Sequence, residues 1–160
     1  MRSRGLIVAI TAVILAVPTF VLFRPDRRFT DREVMETTPT GGMVAFRGMF
    51  VSRAHDGIGT AELVTLEDGR RILQFRGFST SDGPDLKVYL SGDAEATSMD
   101  QLRMVGYHSL GAIKGNVGDQ YYEVPAEVDL AKYTSVIVWC ERFGVNFTSA
   151  ALTPAMPMTS

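Results

Sequence analysis

Eight short runs rich in β-branched and aromatic residues, most of them closed by Gly, Pro, Asp or Ser, leave this chain few ways to fold. They are AFRGMFV (45–51), the two arms of GTAELVTLEDGRRILQFRGF (59–78), PDLKVYLSG (84–92), MVGYHSLG (104–111), QYYEVP (120–125), SVIVWC (135–140) and GVNFTSAAL (144–152). Short strands at this spacing predict an all-β fold, an antiparallel β-sandwich of about eight strands. Asp68-Gly69 sits between two of the runs and marks a hairpin, because Gly takes the positive φ that a tight turn needs. Only Ser98 to Leu102 and Ala126 to Lys132 read as helical turns, so there is no strand–helix alternation to support a parallel α/β sheet.

The run Ser135 to Cys140 is the most demanding of the eight. Side chains alternate along a strand, so Val136, Val138 and Cys140 share one face and Ile137 and Trp139 the other. A strand that is apolar on both faces belongs at the centre of a sheet. It also ends on the chain's single cysteine and holds its single tryptophan.

Ahead of these strands, Gly5 to Phe23 carries no charge. At helical rise this run reaches across the hydrocarbon core of a bilayer, about 30 Å. Pro18 is tolerated in a membrane helix and costly in a soluble one. The run has no polar face beyond two threonines and no clean small-x-small cleavage site after it. It therefore predicts a single transmembrane helix within residues 1–23, an uncleaved anchor in the cell membrane. Arg24, Arg27, Arg28 and Arg32 follow the run, against Arg2 and Arg4 before it, which by the positive-inside rule favours a cytoplasmic C-terminal domain. Residues 24–43 are polar and rich in Thr, Pro and Gly, and read as a linker. The folded domain spans 44–153, and 154–160 reads as a tail.

Net charge is −2, and no basic stripe lies outside the N-terminus, so nucleic acid is not an expected partner. One cysteine makes no intramolecular disulfide and no multi-cysteine zinc site. No Ser/His/Asp series and no spaced carboxylate pair argues for a hydrolase, and no enzyme class is assigned. CxxCH is absent, which excludes covalent haem of the c type.

Cys140 has two readings. Free cysteine is often a small core hydrophobe. Here Glu141 and Arg142 follow at once, where the strand leaves the core, and a nearby Arg favours the reactive thiolate. His55, in SRAHDGIG, lies in a loop and is available as a ligand or proton carrier. His108, in GYHSLG, lies in a strand and is expected on its polar face. One Cys and two His are compositionally sufficient for a mixed haem or copper site. Asp82, Asp85 and Asp93 read as turn residues rather than a calcium loop, which has a different spacing. KGNVGDQ (114–120) reads as a shaped turn. The sequon Asn146-Phe147-Thr148 falls in a core strand and is discounted.

Four segments together resemble the DM13 domain: FRGMFVSRAHDGIGTAEL (46–63), GPDLKVYLS (83–91), LGAIKGNVGDQYYEVP (110–125) and VDLAKYTSVIVWCERFGVNFTSAAL (128–152). They occur in the family's order. The resemblance implies a β-sandwich related to the DOMON fold, on the extracytoplasmic side of a membrane. It implies electron transfer or redox modification through a characteristic cysteine, as a bare thiol or as ligand to a prosthetic group such as haem. By motif that cysteine is Cys140, and His55 falls in the family's H-x-x-x-G segment. Trp139, Tyr121 and Tyr122 would then supply aromatic packing around a cofactor, and a redox protein would be the partner. The family expectation is set above the Arg count in placing the domain outside the cytoplasm. The alternative is a non-catalytic binding module that presents loops 53–58, 78–84 and 92–103, with Cys140 as a core residue.

Overall fold

A computed structural model describes residues 31–155. The expected anchor, residues 1–23, lies outside the described residues. Among the described residues no helix is long and apolar enough to cross a membrane.

Nine strands form the fold: β1 (Met43–Ser52), β2 (Gly57–Thr65), β3 (Arg71–Thr80), β4 (Leu86–Ser91), β5 (Tyr107–Ala112), β6 (Gln120–Val124), β7 (Ser135–Cys140), β8 (Val145–Ala151) and β9 (Thr153–Pro154). Among the described residues one helix, α1 (Met99–Val105), and a 3-10 turn at Leu130–Lys132 accompany them. All eight expected strands are present. Met104 and Val105, expected at the start of β5, instead end α1, and Gly106 with φ 85° turns the chain into the strand. The unexpected strand is β9, which pairs Thr153 with Arg47 and Pro154 with Phe46.

Every strand pairing is antiparallel, and the strands follow one path, β5-β4-β7-β8-β1-β2-β3-β6, with β9 beside β1. The expected two-sheet sandwich is therefore one continuous sheet, bent into a nearly closed barrel. The strand that makes the bend is β1. Met43 to Met49 pair with β2, whereas Phe50 to Ser52 pair with β8. Gly48 sits at the corner, where a Cβ would stand 2.1 Å from the Ala151 carbonyl oxygen. Only a residue without a side chain admits that approach.

The interior is filled by Phe50, Leu63, Leu73, Phe75, Phe78, Val88, Leu90, Val136, Val138 and Phe147, among others. Phe50 meets Phe75 and Phe78 edge-on, with ring centroids 4.8 Å apart in each case. This geometry suits the quadrupoles of aromatic rings. The outer face of β4 and β7 is covered in turn by α1, where Leu102 packs with Tyr89, Ile137, Trp139 and Ala96. Ser98 caps α1, its hydroxyl accepting from the Gln101 amide at 3.2 Å.

No ladder joins the end strands β5 and β6. Buried side chains of the intervening loop and of the first residue of β6 close that gap. Gln120 Oε1 accepts from the amides of Lys114 and Gly115, each at 3.2 Å, and from Tyr122 Oη at 2.6 Å. Asn116, fully buried, donates to Asp31 Oδ1 and to the Thr80 carbonyl, and accepts from the Arg32 amide. Residues 31–36, within the expected linker, lie along this loop. The Val34 and Glu36 amides donate to the Val117 and Asp119 carbonyls at 2.9 Å, and Glu36 forms an ion pair with Lys114 at 2.7 Å. Gly118 has φ 105°, and a Cβ there would stand 1.9 Å from the Val34 carbonyl oxygen. KGNVGDQ is thus a turn shaped to receive this strap.

Candidate functional site

Strand β7 lies between β4 and β8, and all six of its residues are buried. Its alternation is the one read from sequence: Val136, Val138 and Cys140 face the interior, while Ile137 and Trp139 face α1. Cys140 is the last residue of the strand, opposite Leu86 of β4 and Val145 of β8. It is fully buried.

The Cys140 thiol donates a hydrogen bond to the Pro84 carbonyl oxygen at 3.1 Å. Only the protonated thiol makes that bond. The turn supplying the carbonyl, Gly83 to Asp85, folds closely over the strand end. A Cβ on Gly83 would stand 2.7 Å from the Phe147 ring and 3.2 Å from a Leu86 methyl. Asp85 has φ 60° and is the only non-glycine with positive φ among the described residues. The cost of that conformation is about 1–2 kcal/mol for most residues and less for Asp. Lys87 holds the Asp85 carboxylate at 2.7 Å, and the Asp85 carbonyl accepts from the Glu141 amide. Arg142, expected to act on the thiol, is exposed in the following turn.

His55 is half-buried in the β1–β2 loop. Its amide donates to the Phe147 carbonyl at 3.1 Å, and its ring lies on the Phe147 ring with centroids 3.8 Å apart. Phe147 belongs to the same interior cluster as Cys140. The fold therefore gathers Cys140, the Gly83-Pro84 turn, Phe147 and His55 at one end of the barrel, with Phe147 linking the histidine to the interior. His108 is elsewhere. It pairs with Leu90, four residues along β4 from the partner of Cys140, which is about 13 Å at strand rise. Sharing a register position with Leu90, it stands on the inward side of the edge strand rather than on a polar face. Trp139 points away from Cys140, Tyr122 packs on Phe75 in the core, and Tyr121 lies beneath Lys114. These aromatics do not surround the sulfur.

A haem needs a cleft beside its axial ligand, and this site is built otherwise. The sulfur is enclosed, its hydrogen is spent on Pro84, and the covering turn already touches Phe147. Two surface concavities lie beside β1 and β9, and beside the β2–β3 turn, and neither is lined by Cys140 or His55. Among the described residues no group of three or more His, Cys, Asp or Glu side chains is placed to hold a metal ion. The residues present do not fit a haem.

One pairing had no sequence signal. The Tyr89 hydroxyl donates to the Glu141 carboxylate, next to Cys140 in the chain and far from Tyr89 in sequence. Burial, then the bond and charge of Glu141, raise the Tyr89 hydroxyl well above its ordinary pKa. The Tyr107 ring lies 4.8 Å from that of Tyr89. The sequon asparagine, Asn146, is buried, and its side-chain amide donates to the Ala94 and Ala96 carbonyls, which leaves it unavailable to a glycan.

No curated protein matches the chain, and no solved structure does. A family profile does match, over residues 49–152, and its description is Electron transfer DM13. That stretch runs from β1 to the end of β8 and includes every residue of the Cys140 site, and on it the chain belongs to the DM13 family of electron-transfer domains.

Proposed function

We propose that this protein is a membrane-anchored electron-transfer module whose redox centre is Cys140 acting as a bare thiol, with the domain on the extracytoplasmic side. The observation that carries the reading is the placement of the chain's only cysteine inside a DM13 domain, at the end of an interior strand, under a turn of its own. Burial shapes the chemistry. Thiol exchange requires direct attack at sulfur, which full burial prevents, whereas one-electron transfer tolerates an enclosed donor. Oxidation of a thiol expels its proton, and a carbonyl does not retain one. The Gly83-Pro84 turn must therefore yield before the oxidised form is stable. His55, on the far side of Phe147, is one nearby group able to accept a proton. The uncharged run Gly5 to Phe23 supports the anchor, and the family resemblance supports the outward orientation.

Voltammetry of the full-length protein in lipid nanodiscs tests the assignment. A reversible wave that disappears in Cys140→Ala, with no Soret band when haem is added, is the expected result. A wave that persists in the mutant removes Cys140 from the role.

A second reading is favoured by the same burial: a binding module in which Cys140 is core. Under it, Cys140 reacts with thiol reagents only on denaturation, and the folded protein shows no wave at all.

A further inference from the structure

The face of β7 opposite Cys140 carries a second redox-capable group. Tyr89, Trp139, Ile137, Leu102 and Ala96 form a closed cluster, with Met99 and Tyr107 packed at its margin. Tyr89 is 1% exposed, so a hydroxyl in this position needs a partner. A neutral acceptor such as a backbone carbonyl would suffice for that purpose. The partner is instead the carboxylate of Glu141, a base that is itself exposed to water. The phenol is protonated at neutral pH, and burial and the Glu141 bond hold it further from ionising, so oxidation of the ring releases a proton that needs an acceptor. Glu141 stands where that proton has to go. Tyr107 is half-buried and its ring adjoins that of Tyr89, which gives the cluster an outlet at the surface. On the other side Trp139 is the peptide neighbour of Cys140.

We propose that Tyr89 and Glu141 form a proton-coupled redox site that relays electrons between the Trp139–Cys140 strand end and an outer-sphere one-electron partner at Tyr107. In the oxidising direction the partner accepts one electron from the Tyr89 ring and is reduced by one. The Tyr89 O–H bond breaks, and the proton moves to Glu141, leaving a neutral tyrosyl radical and a neutral carboxylic acid. Reduction returns the electron to the ring and the proton to the phenol oxygen. This relay rests on the electron-transfer reading above, but it predicts a different signature from that of the thiol.

The test is flash oxidation of the full-length protein with photogenerated ruthenium(III) tris-bipyridine, followed by optical and electron paramagnetic resonance detection. The wild type is expected to form a neutral tyrosyl radical with a solvent deuterium isotope effect. Tyr89→Phe should lose that radical, while Tyr121→Phe keeps it. Glu141→Gln retains a hydrogen-bonding partner but not a base, and should slow radical formation about tenfold or more, in line with loss of a positioned proton acceptor. Circular dichroism verifies that all three variants are folded. Equal radical yield in Tyr89→Phe, or a wild-type rate in Glu141→Gln, overturns the relay. A Cys140-dependent voltammetric wave without a Tyr89 radical also overturns it and leaves the thiol reading standing. A Tyr89 radical that persists in Cys140→Ala upholds Tyr89 and Glu141 as a redox site in its own right, even where the thiol wave is absent.

Discussion

At the residue scale, Cys140 meets two demands that can be separated. It fills a small volume at the end of a central strand, and it satisfies the Pro84 carbonyl. Cys140→Ala gives up both and is expected to cost about 1–2 kcal/mol, from a small cavity and an unpaired carbonyl. Cys140→Ser keeps a donor and should recover part of that loss. Denaturant midpoints of the two variants check this, and a mild cost leaves the domain folded enough for the redox comparison. Asp85 supplies a second test. Its left-handed backbone suits Asp, Asn or Gly, so Asp85→Asn should be close to neutral, whereas β-branched Asp85→Val should lose about 1–2 kcal/mol by equilibrium unfolding. Cys140 was legible in the sequence as a candidate, and its alternating position was legible too. The Pro84 bond was not, because it joins residues brought together only by the pairing of β4 with β7. The Tyr89–Glu141 bond was hidden for the same reason.

At the scale of elements, the strands were read nearly in full, because alternation and turn residues are local signals. The errors lie where a local signal was overridden. Met104 and Val105 look like strand, but capping by Ser98 and burial of Leu102 carry α1 through them. The pair Thr153-Pro154 is too short to signal anything, and it becomes strand only because β1 offers a free edge there. The role of α1 was equally silent in the sequence: it seals the outer face of β7 over Trp139 and Tyr89. Leu102 is fully buried in that seal. Leu102→Ala should therefore cost about 2–4 kcal/mol. It should also shift the emission of Trp139, the only tryptophan, so that fluorescence reports the outer cluster directly.

At the scale of the whole molecule, the barrel closes by two devices, a strand that bends and a strap that docks. The strap depends on charge. Burial alone would raise the Glu36 carboxyl, but the bond to Lys114, the Tyr121 amide and the Lys114 charge outweigh it and hold the group below its ordinary value of 4.5. A carboxyl depressed in the folded state stabilises fully above its unfolded pKa, and that stability is lost as pH falls through the folded value. Protection factors at Val34 and Glu36, with the pH dependence of intrinsic exchange divided out, are expected to fall as pH drops below about 4.5 in the wild type, and to be lower and without that step in Glu36→Gln. The sequence by itself determined the all-β class, the number of main strands, the hairpin at Asp68-Gly69 and the two-faced burial of β7. Those features arise from residue-by-residue alternation and from turn chemistry, which need no distant partner. Only the tertiary structure decided that the layers are one bent sheet, that residues 31–36 lie along the loop between β5 and β6, and that Cys140 is enclosed rather than open to a cofactor. Each of these is set by which non-local backbone groups find one another, and by how little space remains once the turn over Cys140 has packed against Phe147.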